Sequence, residues 1–284
     1  MVRAVSLQLW PTSQGEAGTA NTKAMTTKAQ PRGFSFCEAN GFRALIFDWD
    51  GVLLDSGQAY YLGYERVLKE AGIATSPREI YLREGQPTGQ LLAHLFAARR
   101  IPVSEPRIRA MVDRRRQYQS AIGCDFFSGV WKLLSELRAA GYKLAMVTGS
   151  SRQSVERLLT KELESRFDAV ITADDVKQPK PNPEPFRLAV ETSGLEARQC
   201  VVVENAPFGI EAAHGAGCPA IAICTTLVAD DLKQADWIVP DHEALQLLLR
   251  SGDATASRFR SAAPGNGSAG WSAASLPRQN HGNH

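Results

Sequence analysis

Two aspartates two residues apart, Asp48 and Asp50, stand directly behind the apolar run Ala44-Leu45-Ile46-Phe47 and directly ahead of Gly51. Such a run reads as a buried strand. Both carboxylates then emerge where the backbone leaves a sheet, and Gly51 lets the chain turn away. If a divalent cation sits at that strand end, one carboxylate can bind it while serving as a nucleophile, because the metal keeps the group ionised and offsets its repulsion from an incoming phosphate. The other can hold a proton for the leaving group. Neighbouring carboxylates that divide the work in this way supply a nucleophile and an acid near neutral pH. The plain alternative is a solvated turn after an edge strand.

A parallel sheet is what must position such a pair. Further short apolar runs bounded by turn residues recur at 144–147, 169–171, 201–203 and 220–223. Amphipathic stretches separate the later ones, from Val130 to Ala140, Gln153 to Leu159, Pro185 to Thr192 and Phe208 to Ala216. This β-α alternation predicts an α/β fold, a Rossmann-like parallel sheet with helices on both faces. From Gly57 to Ile122 the alternation stops, and the pattern reads as consecutive helices over Ala59 to Ala71, Thr88 to Ala98 and Pro106 to Ala121. An inserted α-helical cap follows, placed over the C-terminal strand ends where open α/β sheets bind ligands. The expected plan is a disordered N-terminal extension over 1–41, a core of 42–56 and 123–250, a cap over 57–122, and a disordered Gly/Ala/Ser-rich tail over 251–284.

Composition narrows the class. With 284 residues, 44% of them apolar and 22% charged, the chain has material for a real core. A formal charge of +2 gives no footprint for nucleic acid, which is therefore not an expected partner. Five cysteines, odd in number and without a C-x-x-C pair, argue against a disulfide framework and against a zinc site. No run reaches the roughly 18 apolar residues of a membrane span, and the N-terminus lacks secretory order. A cytoplasmic monomer or weak dimer with no membrane partner is expected. Two alternatives for the N-terminus stay open, an organelle transit peptide or a true start at Met25.

Other residues read more plainly. His94, His214 and His242 are isolated, and Arg114-Arg115-Arg116 reads as a solvated helix face from which one arginine could reach the cleft. Gly215-Ala216-Gly217-Cys218-Pro219-Ala220 superficially fits a dinucleotide fingerprint but precedes its strand, so it reads as a helix exit. Thr148 could cap the helix beginning near Arg152, and capping amides are also phosphate-binding amides.

The segment F-D-W-D-G-V-L-L-D-S over Phe47 to Ser56 is similar to the opening motif of the haloacid dehalogenase-like hydrolase superfamily. Val147-Thr148-Gly149-Ser150 resembles the second motif, Lys180-Pro181-Asn182-Pro183-Glu184-Pro185-Phe186 the third, and Val203-Glu204-Asn205-Ala206-Pro207-Phe208-Gly209-Ile210 the fourth. The resemblance spans roughly Phe42 to Leu249 and is nearest to the helical-cap group that includes β-phosphoglucomutase and phosphoglycolate phosphatase. It implies that Asp48 is the nucleophile and Asp50 the acid and base. Thr148 and the Gly149 amide would hold phosphoryl oxygens, and Lys180 would neutralise nucleophile and phosphate. Lys177 does not precede the Pro-x-Pro and reads as a surface charge. Asp48, Asp50, Glu204 and Asn205 would hold Mg2+.

The cap loop Arg83-Glu84-Gly85-Gln86-Pro87-Thr88 would touch the substrate through Arg83, Glu84, Gln86 and Thr88, a plain helix connection being the alternative. One departure matters: family members usually carry aspartate where Asn205 stands. Glu204 becomes the main acidic ligand of that loop, and weaker metal binding, not inactivity, is expected. Dehalogenases and phosphonatases generally lack the second aspartate, so Asp50 favours phosphate esters. The implied activity is magnesium-dependent hydrolysis of a small phosphorylated metabolite. A phosphomutase of the β-phosphoglucomutase kind, or a non-catalytic binding protein on a decayed hydrolase, are the rival readings.

Overall fold

The computed structural model describes residues 33–251. The disorder expected for 1–32 and 252–284 concerns residues outside that range. Six strands form one sheet: β1 (Ala44–Asp48), β2 (Lys143–Val147), β3 (Ala169–Ile171), β4 (Cys200–Glu204), β5 (Ala220–Ile223) and β6 (Trp237–Val239). Their order is β3-β2-β1-β4-β5-β6 and every pairing is parallel. In β1 all five residues are buried, as a strand covered on both faces requires. Chain progression reverses between β1 and β4, which opens a crevice beyond their C-terminal ends. Asp48 is the last residue of β1 and Glu204 the last of β4, so both stand at that crevice.

The helices in chain order are α1 (Ser35–Ala39), α2 (Gly57–Glu70), α3 (Pro77–Tyr81), α4 (Thr88–Ala98), α5 (Glu105–Ile122), α6 (Val130–Ala139), α7 (Arg152–Glu156), α8 (Lys161–Glu164), α9 (Glu184–Ser193), α10 (Pro207–Gly215) and α11 (His242–Arg250). Successive strand residues face opposite sides. Leu45 and Phe47 join a core layer with Phe36 of α1, Leu134 of α6 and Leu248 of α11. Ala44 and Ile46 join the opposite layer with Phe186 of α9 and Ile210 of α10, and this layer continues into the cap through Tyr64 and Leu91. Helices therefore cover both faces.

The cap consists of α2 to α5, inserted between β1 and β2. Two of its helices begin at sequence signals: the Ser76 and Ser104 side chains accept from the Glu79 and Arg107 amides, each with proline in the first turn. Helices α2 and α5 pack closely at Gly63, where a Cβ would lie 3.2 Å from the Arg115 carbonyl oxygen.

Three expectations need correction. Residues 33–41 are not a disordered extension: α1 forms there, Phe36 and Cys37 are fully buried, and the Phe36 ring meets Trp237 edge-on at 5.1 Å. The helix read from Gln153 to Leu159 stops at Glu156, and α8 starts anew behind Thr160, whose hydroxyl accepts from the Leu163 amide. Helices α3 and α11 and strand β6 were not anticipated. Among the described residues no helix is long and apolar enough to cross a membrane, and the five cysteines are all free.

Candidate active site

Asp48 stands where β1 ends, and its Oδ1 accepts from Lys180 Nζ at 2.5 Å. The same ammonium donates to Glu204 Oε1 at 2.7 Å and lies 4.8 Å from the centroid of the Phe186 ring. Burial pushes the Asp48 carboxyl above its usual range, and the adjacent Lys180 charge works against that. Burial alone would lower the Lys180 ammonium, but Asp48 and Glu204 hold it above its ordinary value. The lysine thus stays charged between two carboxylates. Lys177, by contrast, is exposed.

Asp50 is held differently. Its Oδ1 accepts from the Ser56 hydroxyl and its Oδ2 from the Ser150 hydroxyl, both at 2.8 Å. Gly51 follows with φ +78°, and a Cβ there would lie 2.2 Å from Asn205 Nδ2, so only glycine fits. Thr148 is buried, and its hydroxyl accepts from the Ser150 amide at 2.9 Å. That bond shapes the turn in which Gly149 and Ser150 face the cleft. Asp48, Asp50, Glu84, Arg115, Thr148 and Gly149 line one cavity of about 290 Å³ between cap and sheet.

Glu204 has more hydrogen bonds and less freedom than a metal ligand needs. Besides Lys180 at Oε1, its Oε2 accepts from the amides of Asn205 and Ala206 at 2.9 and 3.1 Å. A Cβ on Gly209 would lie 1.8 Å from Glu204 Oε1, so glycine at that position makes room for this carboxylate. Asn205 donates through Nδ2 to Glu84 Oε2 at 3.1 Å and to Thr226 Oγ1 at 3.0 Å. Its Oδ1 is buried without a partner.

Among the described residues no three His, Cys, Asp or Glu side chains converge into a ready-made cage. The oxygens left over are nevertheless of the kind magnesium takes. Asp48 Oδ2 accepts no hydrogen bond from the described residues, and Asn205 Oδ1 and Glu84 Oε1 are orphaned acceptors. One or two carboxylates with neutral oxygens and water suit that hard cation, and the donor set fits it.

The cap loop descends onto this edge. Glu84 is 6% exposed, and burial pushes its carboxyl well above the usual range, with Asp48, Asp50 and Glu204 adding to the shift. Gly85 has φ +94°, and a Cβ there would meet the Lys180 side chain at 3.3 Å. Gln86 and Thr88 line the cavity, whereas Arg83 is not among its lining residues. Of the three adjacent arginines read as a solvated face, Arg115 is 6% exposed and stacks on Tyr60 and Tyr64 at 4.6 and 4.3 Å from their centroids. Sequence reasoning assigned no role to Ser56, Ser150 or Thr226. The two serines were visible inside their motifs, but their shared partner was not.

The sequence profile of haloacid dehalogenase-like hydrolases matches residues 45–223. The phosphorylated carbohydrates phosphatase of Thermotoga maritima is 32% identical over 178 residues, covering 61% of this chain and 81% of its own. Fructose-1-phosphate phosphatase YqaB of Escherichia coli is 30% identical over 187 residues, covering 64% of this chain and 96% of its own. The crystal structure of β-phosphoglucomutase from Clostridium difficile superposes with a TM-score of 0.62 at 21% identity, covering 73% of this chain and 97% of that one, and so shares its fold. The profile match contains all four motif segments, those of Asp48, Thr148, Lys180 and Glu204, and the chain belongs to the haloacid dehalogenase-like hydrolases.

Proposed function

We propose that this chain is a magnesium-dependent phosphohydrolase acting on a small phosphorylated metabolite through a phosphoaspartate at Asp48. The observation that carries the reading is the difference in how the two aspartates are held. Asp48 is paired to Lys180 with its Oδ2 left over, while both oxygens of Asp50 are held by hydroxyls. The relatives named above, called phosphatases of phosphorylated carbohydrates and of fructose 1-phosphate, support the substrate class.

Asp48 attacks phosphorus in line, forming an acyl phosphate as the bond to the ester oxygen breaks. Asp50 gives its proton to the departing alkoxide. It then takes a proton from water, whose oxygen attacks the same phosphorus; phosphate leaves and Asp48 is regenerated. Ser56 and Ser150 suit this exchange because a hydroxyl turns from donor to acceptor as the carboxyl gains or loses its proton. Lys180, the Thr148 hydroxyl and the Gly149 amide hold the equatorial oxygens. Of the four residues expected at the metal, Asp48 and Asn205 offer the freest oxygens and are the proposed side-chain ligands, while Asp50 and Glu204, whose oxygens are engaged by hydroxyls, Lys180 and loop amides, border the site. Bound magnesium would offset the phosphate charge and keep Asp48 ionised.

The test is Asp48→Asn with p-nitrophenyl phosphate. Turnover should vanish while circular dichroism stays that of the wild type; retained turnover rules this nucleophile out. EDTA should abolish wild-type turnover and Mg2+ restore it, which a non-catalytic relative would not do. With glucose 1-phosphate, isomer conversion in excess of phosphate release would identify a phosphomutase instead.

A further inference from the structure

The loop between α3 and α4 brings a carboxylate from the cap onto the core, where the core lacks one. Glu84 Oε2 accepts one Asn205 Nδ2 proton at 3.1 Å, and Thr226 Oγ1 accepts the other at 3.0 Å. An ionised carboxylate can only accept, so with Glu84 ionised the Asn205 amide turns its nitrogen toward Glu84 and its oxygen away. What remains are two buried acceptors with no donor, Glu84 Oε1 and Asn205 Oδ1, on side chains that are 6% and 1% exposed. Orphaned buried oxygens are costly, and a hard cation is a partner that would satisfy them. Glu84 also lines the same cavity as Asp48 and Asp50.

We propose that Glu84 belongs to the shell of the cation and supplies from the cap the negative charge that Asn205 does not carry. This rests on reading the cleft as a magnesium site. Glu204 cannot make up that charge, because its oxygens are occupied by Lys180 and by two amides of its own loop. The consequence is linkage. Glu84 meets Asn205 only while the cap loop lies on the core, with Gly85 against Lys180, so the cation binds tightly to the closed cap and weakly to an open one.

Calorimetric titration of the full chain with Mg2+, without substrate, tests this. Glu84→Gln keeps the shape and the Asn205 hydrogen bond but removes the charge, and should weaken Mg2+ at least about tenfold. Adding Asn205→Asp to it moves the charge onto the core and should return affinity to within about threefold of wild type. Amide exchange over residues 82–88 should slow with Mg2+ in the wild type and not in Glu84→Gln. Equal Mg2+ affinity in wild type and Glu84→Gln would overturn the inference and leave the phosphohydrolase reading standing. A double variant as weak as the single one would also overturn it. A wild type that neither binds Mg2+ nor depends on it for turnover would remove both.

Discussion

Lys180 is 2% exposed and ties together two carboxylates that would otherwise repel each other inside the protein, Asp48 and Glu204. Removing one member of a buried ionic group leaves the others unpaired, at a cost of about 3–5 kcal/mol. Lys180→Met should therefore lower the free energy of urea unfolding by about that amount, and adding Glu204→Gln should recover part of it. No recovery would mean that Glu204 is held by its loop amides alone. This ion group was only half legible in the sequence. Asp48, Asp50, Thr148 and Glu204 each sit in a short local motif behind an apolar run, and Lys180 stands ahead of a Pro-x-Pro, so type and spacing exposed them. Their partners did not show, because they are set by strand neighbours far apart in the chain. Ser150 meets Asp50 across 100 positions and Glu84 meets Asn205 across 121. The arginine run reads as a solvated face from which one member could reach the cleft, because its helix is polar nearly all round; the packing of α5 on α2 shows that Arg115 is such a member, covered by Tyr60 and Tyr64 and lining the cavity.

Among the elements, α1 and α11 close one face of the sheet and were the hardest to read. Helix α1 has five residues, too few for periodicity, and its weight lies in single side chains. Phe36 is fully buried against Phe42 and Trp237. Phe36→Ala should cost about 3–5 kcal/mol by urea unfolding, with Trp237 among the tryptophans that report the change; a loss under about 1 kcal/mol would mean that α1 is peripheral. Helix α11 carries a pH-dependent anchor, His242, whose Nε2 lies 2.7 Å from the Val52 carbonyl oxygen and whose ring stacks on Phe127. Burial holds this imidazole below its ordinary value, against the raising effects of the Val52 carbonyl, Asp241 and Asp55. As pH falls through about 6.5 the unfolded chain takes the proton before the native one, so stability drains from there down to the lower native value. His242→Gln keeps a donor for Val52 and should lose less stability than wild type between about pH 7.5 and 5.5; parallel curves would clear His242 of any part. The longer β-α units needed no such detail. Five of the six strands were visible as apolar runs, and β6 was missed because it is three residues long and half exposed at the sheet edge.

At the scale of the whole molecule, the question is what holds the cap on the core. The chain crosses between them twice, and beyond those crossings a shared apolar layer and a few polar contacts join them. The Tyr81 hydroxyl donates to the Gly57 carbonyl oxygen at 2.8 Å, a bond within the cap at its crossing, so it steadies α3 more than it docks it. Arg78 of α3 reaches the core directly, forking onto Asp231 with Nε at 3.1 Å and Nη2 at 2.5 Å. The arginine side chain is 66% exposed and the aspartate 8%, so the clasp is open to water and salt on one side and fixed on the other. A clasp of this kind contributes little to global stability, but it joins cap to core and would bias any equilibrium between closed and open caps. Arg78→Ala should accordingly speed amide exchange in α3 and in the loop 83–88 while β1 and β4 keep their wild-type rates, and salt should mimic the variant in the wild type. On the proposed mechanism closure would shield a phosphoaspartate at Asp48 from stray acceptors, so the same variant should lose more in kcat/KM than in unfolding midpoint. Equal losses would mean that Arg78 acts on the fold and not on the cap; unchanged exchange would mean that Glu84 and Gly85, lying on Asn205 and Lys180, are clasp enough.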